Sequence, residues 1–195
     1  VRRLILTAVF VLAVTTPALA AQTPGDNPQM SAIFDADQAI RQGFSTGQTP
    51  DRAFVERMAQ EDAERRGQVR ALLSAGALST AEDYRKAAFI FQHGAEPSDY
   101  LLAHSLAVAA AVRGSDEAGW IAAASLDRYL QMKGEPQIYG TQTIARSGQD
   151  PTLEPYDRVL VPDSLRTALG VPTQVEQDLR LEAVKAAVQA QRANP

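Results

Sequence analysis

The segment opened by Pro97-Ser98-Asp99 and closed by Arg113-Gly114 is the strongest constraint on the fold of this chain. It reads as a helix that is apolar nearly all round, through Leu101, Leu102, Leu106, Val108, Ala109, Ala110 and Val112. A helix without a polar face has to be enclosed by neighbours, which predicts a central position in a helical core. The flanking segments supply those neighbours. Ser31–Gln42 reads as a short helix ended by Gly43. Pro50 opens a long one to about Ser74, closed by Gly76. The long helix carries an apolar stripe of Phe54, Val55, Met58, Val69, Leu72 and Leu73, and its middle, with Glu61–Arg65, reads as solvated charge.

Thr80 with Asp83, or Ser79 with Glu82, makes a capping box for a third helix that ends at His93-Gly94. Ser115-Asp116-Glu117 caps a fifth, which stops at Lys133-Gly134. Residues 137–144 and 157–161 then alternate polar and apolar types, predicting a small β-hairpin or an extended insert near residues 137–161. A short helical turn follows Pro162, and a last helix runs from Thr173 to about Arg192 with Val175, Leu179, Leu181, Val184 and Val188 facing inward. The expected architecture is mainly α, a compact bundle of about six to seven helices with that insert.

Domain limits follow from the front of the chain. Arg2 and Arg3, the apolar run Leu4–Val14 and Ala18-Leu19-Ala20 have the order of a secretory signal peptide over residues 1–20, cleaved after Ala20. The run is too short to span a bilayer, and no later one approaches that length. Residues 21–30 read as a flexible lead and 31–192 as a single helical domain. The expected location is periplasmic or secreted, with no stable membrane span after cleavage.

Charge and composition narrow the partners. The chain has 19 Lys and Arg against 23 Asp and Glu, a net charge of −4, and cleavage removes two arginines, taking it to −6. That balance argues against nucleic acid, which needs a cationic face. The absence of cysteine removes disulfides and thiolate chemistry, so packing alone must stabilise the fold. No phosphate-binding glycine loop, dinucleotide fingerprint, nucleophile elbow or His-Glu-x-x-His occurs. No cofactor and no metal are therefore expected.

The candidate site gathers the polar residues that intrude on apolar patterns. His93 ends the third helix, next to Gln92. His104 shares a stripe with Leu101, Ser105, Val108 and Val112. Asp127 falls in a stripe with Trp120, Ala123 and Leu130, so it needs a partner, while Arg128 projects about 100° away around the helix. In an extended segment Gln137, Tyr139 and Thr141 point one way and Gln142 the other, with Gly140 between them allowing a bulge.

Taken together, Asp37-Gln38, Asp83-Tyr84, Gln92-His93-Gly94, Ala103-His104, Leu126-Asp127-Arg128-Tyr129 and Gln137-Ile138-Tyr139-Gly140-Thr141-Gln142 resemble a bacterial domain family of unknown function, over roughly residues 30–180. The resemblance implies one shared polar site and names no reaction. On this reading the protein binds a small polar or anionic, envelope-related molecule. Gln92, Arg128, Gln137, Tyr139, Thr141 and Gln142 contact it. In a catalytic version, a cofactor-free hydrolase or transferase, His93 or His104 is the general acid or base and Asp127 orients it. The alternative is a non-catalytic helical interaction module of the cell envelope, in which these same residues are structural locks.

Overall fold

The computed structural model describes residues 25–42, 51–146 and 148–193. The expected signal segment 1–20, residues 21–24 of the expected lead, Gly43 and Pro50 lie outside the described residues. Seven helices are present among those described: α1 (Pro28–Gln42), α2 (Arg52–Ser74), α3 (Ala81–Gln92), α4 (Pro97–Val112), α5 (Ala118–Met132), α6 (Asp163–Ala168) and α7 (Gln174–Ala193). None is long and apolar enough to cross a membrane.

Local chemistry explains the ends. Asn27 caps α1 by accepting the Met30 N–H at 3.0 Å, and the helix begins at Pro28, three residues before the expected Ser31. The α2 N-cap is Asp51, whose carboxylate accepts the Phe54 N–H at 2.7 Å. The Thr80–Asp83 capping box is formed in full at α3. Thr173 and Glu176 bond one another reciprocally at the start of α7.

Asp83 does more than cap. Fully buried, it takes N–H groups from Asn27 at 2.7 Å and Ser79 at 3.0 Å, so one carboxylate ties the lead, the α2–α3 turn and α3 together. Burial alone would raise its pKa, but the backbone donors of Ser79, Asn27 and Thr80 and the Thr80 hydroxyl outweigh it and hold the carboxyl below its ordinary range. A group with a depressed folded pKa adds stability above its unfolded value of about 4, and that stability disappears as pH falls through the folded value. Asp83→Asn is therefore expected to melt well below the parent protein near neutrality, with the gap closing in acid. Melting curves across pH 2–7 check this, and a pH-independent gap would refute it.

The main core joins Met30 and Ile33 of α1, Val69 and Leu72 of α2, Ala87, Ile90 and Phe91 of α3, Ala103, Leu106 and Ala107 of α4, and Ile121 and Ala122 of α5. Helix α4 packs against α3 on one side and α5 on the other. The alanines at that seam (Ala103, Ala107, Ala110, Ala122, Ala123) let the helices approach closely.

Three expectations are corrected here. Helix α4 is central but not enclosed. Its buried face is Tyr100, Ala103, Leu106, Ala107 and Ala110, while Leu101, Ser105, Val108 and Val112 face solvent. The expected inward face of α7 is largely outward: Val175 and Leu179 are 66% and 67% exposed, Val184 is also exposed, and Gln177 and Leu181 are the buried positions. No β-hairpin forms among the described residues. Residues 137–146 and 148–157 form two arms joined by two isolated bridges, Gln137 with Tyr156 and Ile144 with Thr152. The reason is local competition. The Gln137 side-chain oxygen accepts the Gln142 N–H at 3.0 Å and its amide donates to the Gln142 carbonyl at 2.9 Å and to the Leu153 carbonyl. One buried amide thus takes the backbone groups that a ladder would have used.

Candidate functional site

Helix α5 ends beside the first extended arm, and Asp127 holds the two together. Its carboxylate is fully buried. One oxygen accepts the Ile138 and Tyr139 N–H groups at 2.8 and 3.0 Å. The other accepts the Thr141 N–H at 2.9 Å and its hydroxyl at 2.7 Å. The partner of this buried charge is thus a nest of backbone donors, not an imidazole or a guanidinium. Gly140, at φ +73°, makes the turn possible, and a Cβ there would collide with Gln177 and the Tyr156 ring.

Outside that turn the Tyr139 carbonyl accepts from Arg166 at 2.6 Å and Gln177 at 2.7 Å, so Tyr139 contributes its backbone to the lock. Burial raises the pKa of its phenol, and the Asp127 charge adds to the rise. Tyr156, donating to Gln177 at 2.9 Å, is pushed up to about 12 by burial.

The adjoining face of α5 is different. Arg128, Gln131 and Met132 line an open hollow of about 320 Å³ with Tyr100 of α4 and Gln142 and Thr143 of the arm. Its lining contains no carboxylate. The Arg128 Nε and Gln131 Nε2 are buried donors with no hydrogen-bond partner among the described residues. Arg128 makes no ion pair among the described residues, and its guanidinium lies 6.0 Å from the Tyr100 ring centre. Gln142 donates to the Ala124 carbonyl at 3.3 Å and to the Thr141 hydroxyl at 2.9 Å, which fixes it at the rim. A hollow lined by residues with unsatisfied donors suits a ligand that supplies acceptors.

The histidines lie in separate hydrogen-bond networks. His104 bonds the Ala122 carbonyl through Nδ1 at 2.9 Å, which pins α4 to α5. His93 belongs to an ionic cluster between α1, α2 and α3. Arg41 donates from Nε to His93 Nε2 at 3.0 Å, which leaves Nδ1 to carry the ring proton toward Asp37, 3.3 Å away. Arg41 also reaches Asp37 at 2.6 Å and Asp62 at 2.8 Å, and Arg65 reaches Asp62 at 2.8 Å. Neither histidine bonds Asp127 or Gln142. The structure therefore joins Asp127, Gln137, Tyr139, Thr141 and Gln142 in one lock and places Arg128 beside it. Gln92 is buried, its side-chain oxygen has no partner among the described residues, and it does not line this hollow. No three His, Asp or Glu side chains converge as a metal-ligand set among the described residues.

Asp37, Arg41, Asp62 and Arg65 were not expected as buried polar residues. A signal was present. Asp62 and Arg65 precede Val69 and Leu72 at helical spacing, so the charges lie on the extension of the apolar stripe. Gln131 carries a similar signal, since it lies one turn after Asp127 on the stripe of Trp120 and Ala123.

A family model described as "Family of unknown function (DUF6624)" matches residues 24–189. No curated protein matches, and no solved structure matches.

Proposed function

The chain belongs to DUF6624, a family of unknown function, and from that premise we propose that the Arg128 hollow binds a small anionic or polar molecule. One observation carries this reading: Arg128 and Gln131 line a hollow without a carboxylate, and each has a buried donor, Nε and Nε2, with no partner among the described residues. A guanidinium with its fork unclaimed suits a carboxylate or phosphate, and Tyr100 and Met132 offer an apolar wall for the rest of the molecule. The signal-like segment at residues 1–20 supports a ligand met outside the cytoplasm, in the periplasm or beyond it.

Binding fits the geometry better than acid–base catalysis. The His93 Nε2 is already claimed by Arg41, and His104 is tied to a backbone carbonyl. The second reading, an interaction module with structural locks, is favoured by a separate observation. Asp127, Gln137 and Thr141 are satisfied within the protein and leave nothing to offer a substrate.

Calorimetric titration with acetate, succinate and inorganic phosphate tests the first reading. At least one is expected to bind, and Arg128→Gln is expected to weaken it about tenfold or more, the worth of a charge-assisted contact. Because Arg128 has no ion pair to lose, the melting temperature should hold. Equal binding by the variant, or no binding by the parent protein, would overturn the proposal.

A further inference from the structure

A second hollow adjoins the first. It measures about 160 Å³ and is lined by Trp120 of α5, Thr143 of the arm and Arg180 of α7 among others, again with no carboxylate in its lining. Thr143 lines both hollows, so the two lie on either side of one residue. Its place is fixed through both neighbours. The Gln142 N–H donates to the Gln137 side chain at 3.0 Å, and the Ile144 N–H donates to the Thr152 carbonyl at 2.8 Å. Thr143 itself is exposed, and its hydroxyl makes no hydrogen bond among the described residues.

The two hollows offer different groups. Tyr100 is buried and donates its hydroxyl to the Gly94 carbonyl at 2.7 Å, so the first hollow offers mainly Arg128 and Gln131. Trp120 is 39% exposed and its ring is stacked on Phe89 with 6.4 Å between centres, so the second hollow offers a large ring already held in place. Arg180 lines the same hollow, exposed and without an ion pair among the described residues. Glu176, one turn earlier on α7, feels the Arg180 charge, but its carboxylate accepts from the Thr173 N–H at 2.8 Å and hydroxyl at 2.9 Å. Thr141 and Gln177 are satisfied within the protein.

A guanidinium on each side, a free hydroxyl between them and one open aromatic ring suit a ligand with anionic groups along its length and a body that stacks. The face of an indole is the negative part of its quadrupole, which attracts the polarised C–H hydrogens on the flat side of a sugar ring. Guanidinium forks match carboxylates, and a threonine hydroxyl both donates and accepts, as sugar hydroxyls require. We propose that the ligand of the Arg128 hollow is an acidic oligosaccharide, a chain of carboxylate-bearing sugar rings that crosses Thr143. One carboxylate meets Arg128, and the next ring lies on Trp120 with its carboxylate at Arg180. This rests on the reading of Arg128 as an anion site and adds the class of its ligand. Nucleic acid also combines anions with stacking rings, but its phosphates need a broad cationic face, and each hollow has a single arginine.

Trp120 is the only tryptophan of the chain, so its fluorescence reports on the second hollow. The probes are galacturonate, its linear trimer, triglutamate and trithymidylate. The sugar trimer is expected to change the Trp120 emission and to bind about tenfold or more tightly than the single sugar. Arg180→Gln has no ion pair to lose and should melt with the parent protein. It is expected to cost the trimer about tenfold in affinity and to leave the binding of acetate and inorganic phosphate at Arg128 as it was. Triglutamate and trithymidylate should bind about tenfold or more weakly than the sugar trimer, and equal binding of either would overturn the ligand class. If simple anions bind through Arg128 but the sugar trimer leaves the emission unchanged and is indifferent to Arg180→Gln, this inference alone is overturned. If no simple anion binds, or Arg128→Gln changes nothing, the Arg128 reading falls and takes this inference with it.

Discussion

Asp127→Ala is expected to cost about 4 kcal/mol of stability, enough to lower the melting temperature by about 10 °C. The cost follows from the donors it would strand. Three backbone N–H groups, of Ile138, Tyr139 and Thr141, point at this carboxylate, as does the Thr141 hydroxyl. Each buried donor left without an acceptor costs about 1–3 kcal/mol, partly recovered where the arm loosens and water enters. Asp127→Asn keeps one acceptor oxygen for Ile138 and Tyr139 but turns an amide N–H toward Thr141, so about half the loss is expected. Chemical denaturation measures both. The arm should also lose protection in amide exchange before the helices do. A variant that keeps full stability yet loses ligand binding would show that Asp127 serves the ligand instead.

The second large effect is expected at Asp37. Its carboxylate is 1% exposed and accepts from Arg41 at 2.6 Å and Gln38 at 2.8 Å, with Arg65 at 3.6 Å. Asp37→Ala leaves two guanidinium groups with the buried carboxylate of Asp62 and, 3.6 Å from Arg65, the more exposed one of Glu61. Breaking a buried pair in this way costs about 3–5 kcal/mol, because the surviving charge stays desolvated. Replacing both members of such a pair is far milder. Asp37→Ala combined with Arg65→Met is therefore expected to regain part of the loss, and a double-mutant cycle gives the coupling directly. A loss below about 1 kcal/mol for Asp37→Ala would mean that the cluster is solvated in solution and does not hold α1 in place.

Much of the helix inventory is legible in the chain because helix ends are local. The Thr80–Asp83 box, Pro97 at the first turn of α4 and Gly134 after α5 act on residues within one turn, and each marks a boundary that the structure keeps. The insert is not legible in the same way. Its alternating residues have strand character, yet the side chains of Gln137 and Asp127 supply the bonds that a paired strand would have supplied. Composition shows that these residues are polar, but not which backbone groups they will meet.

The candidate site divides along the same line. Arg128 and Gln142 line the hollow, together with Tyr100, Gln131 and Thr143 from three segments that only packing brings together. The two histidines look alike on the page, each beside an apolar pattern. One bonds a carbonyl between α4 and α5, and the other joins an ionic cluster 56 positions away in sequence from its aspartate.

By itself, the order of residues determined that this would be a helical body without disulfides, where most helices begin and end, and which polar groups would need partners. Those properties depend on neighbours a few residues apart and on the cost of burying charge. Only the tertiary structure decided which apolar face of α4 and α7 is covered, which charges are sealed in, and which residues line an open hollow. A face is buried only when another element arrives to cover it, and that arrival is set by the packing of the whole chain.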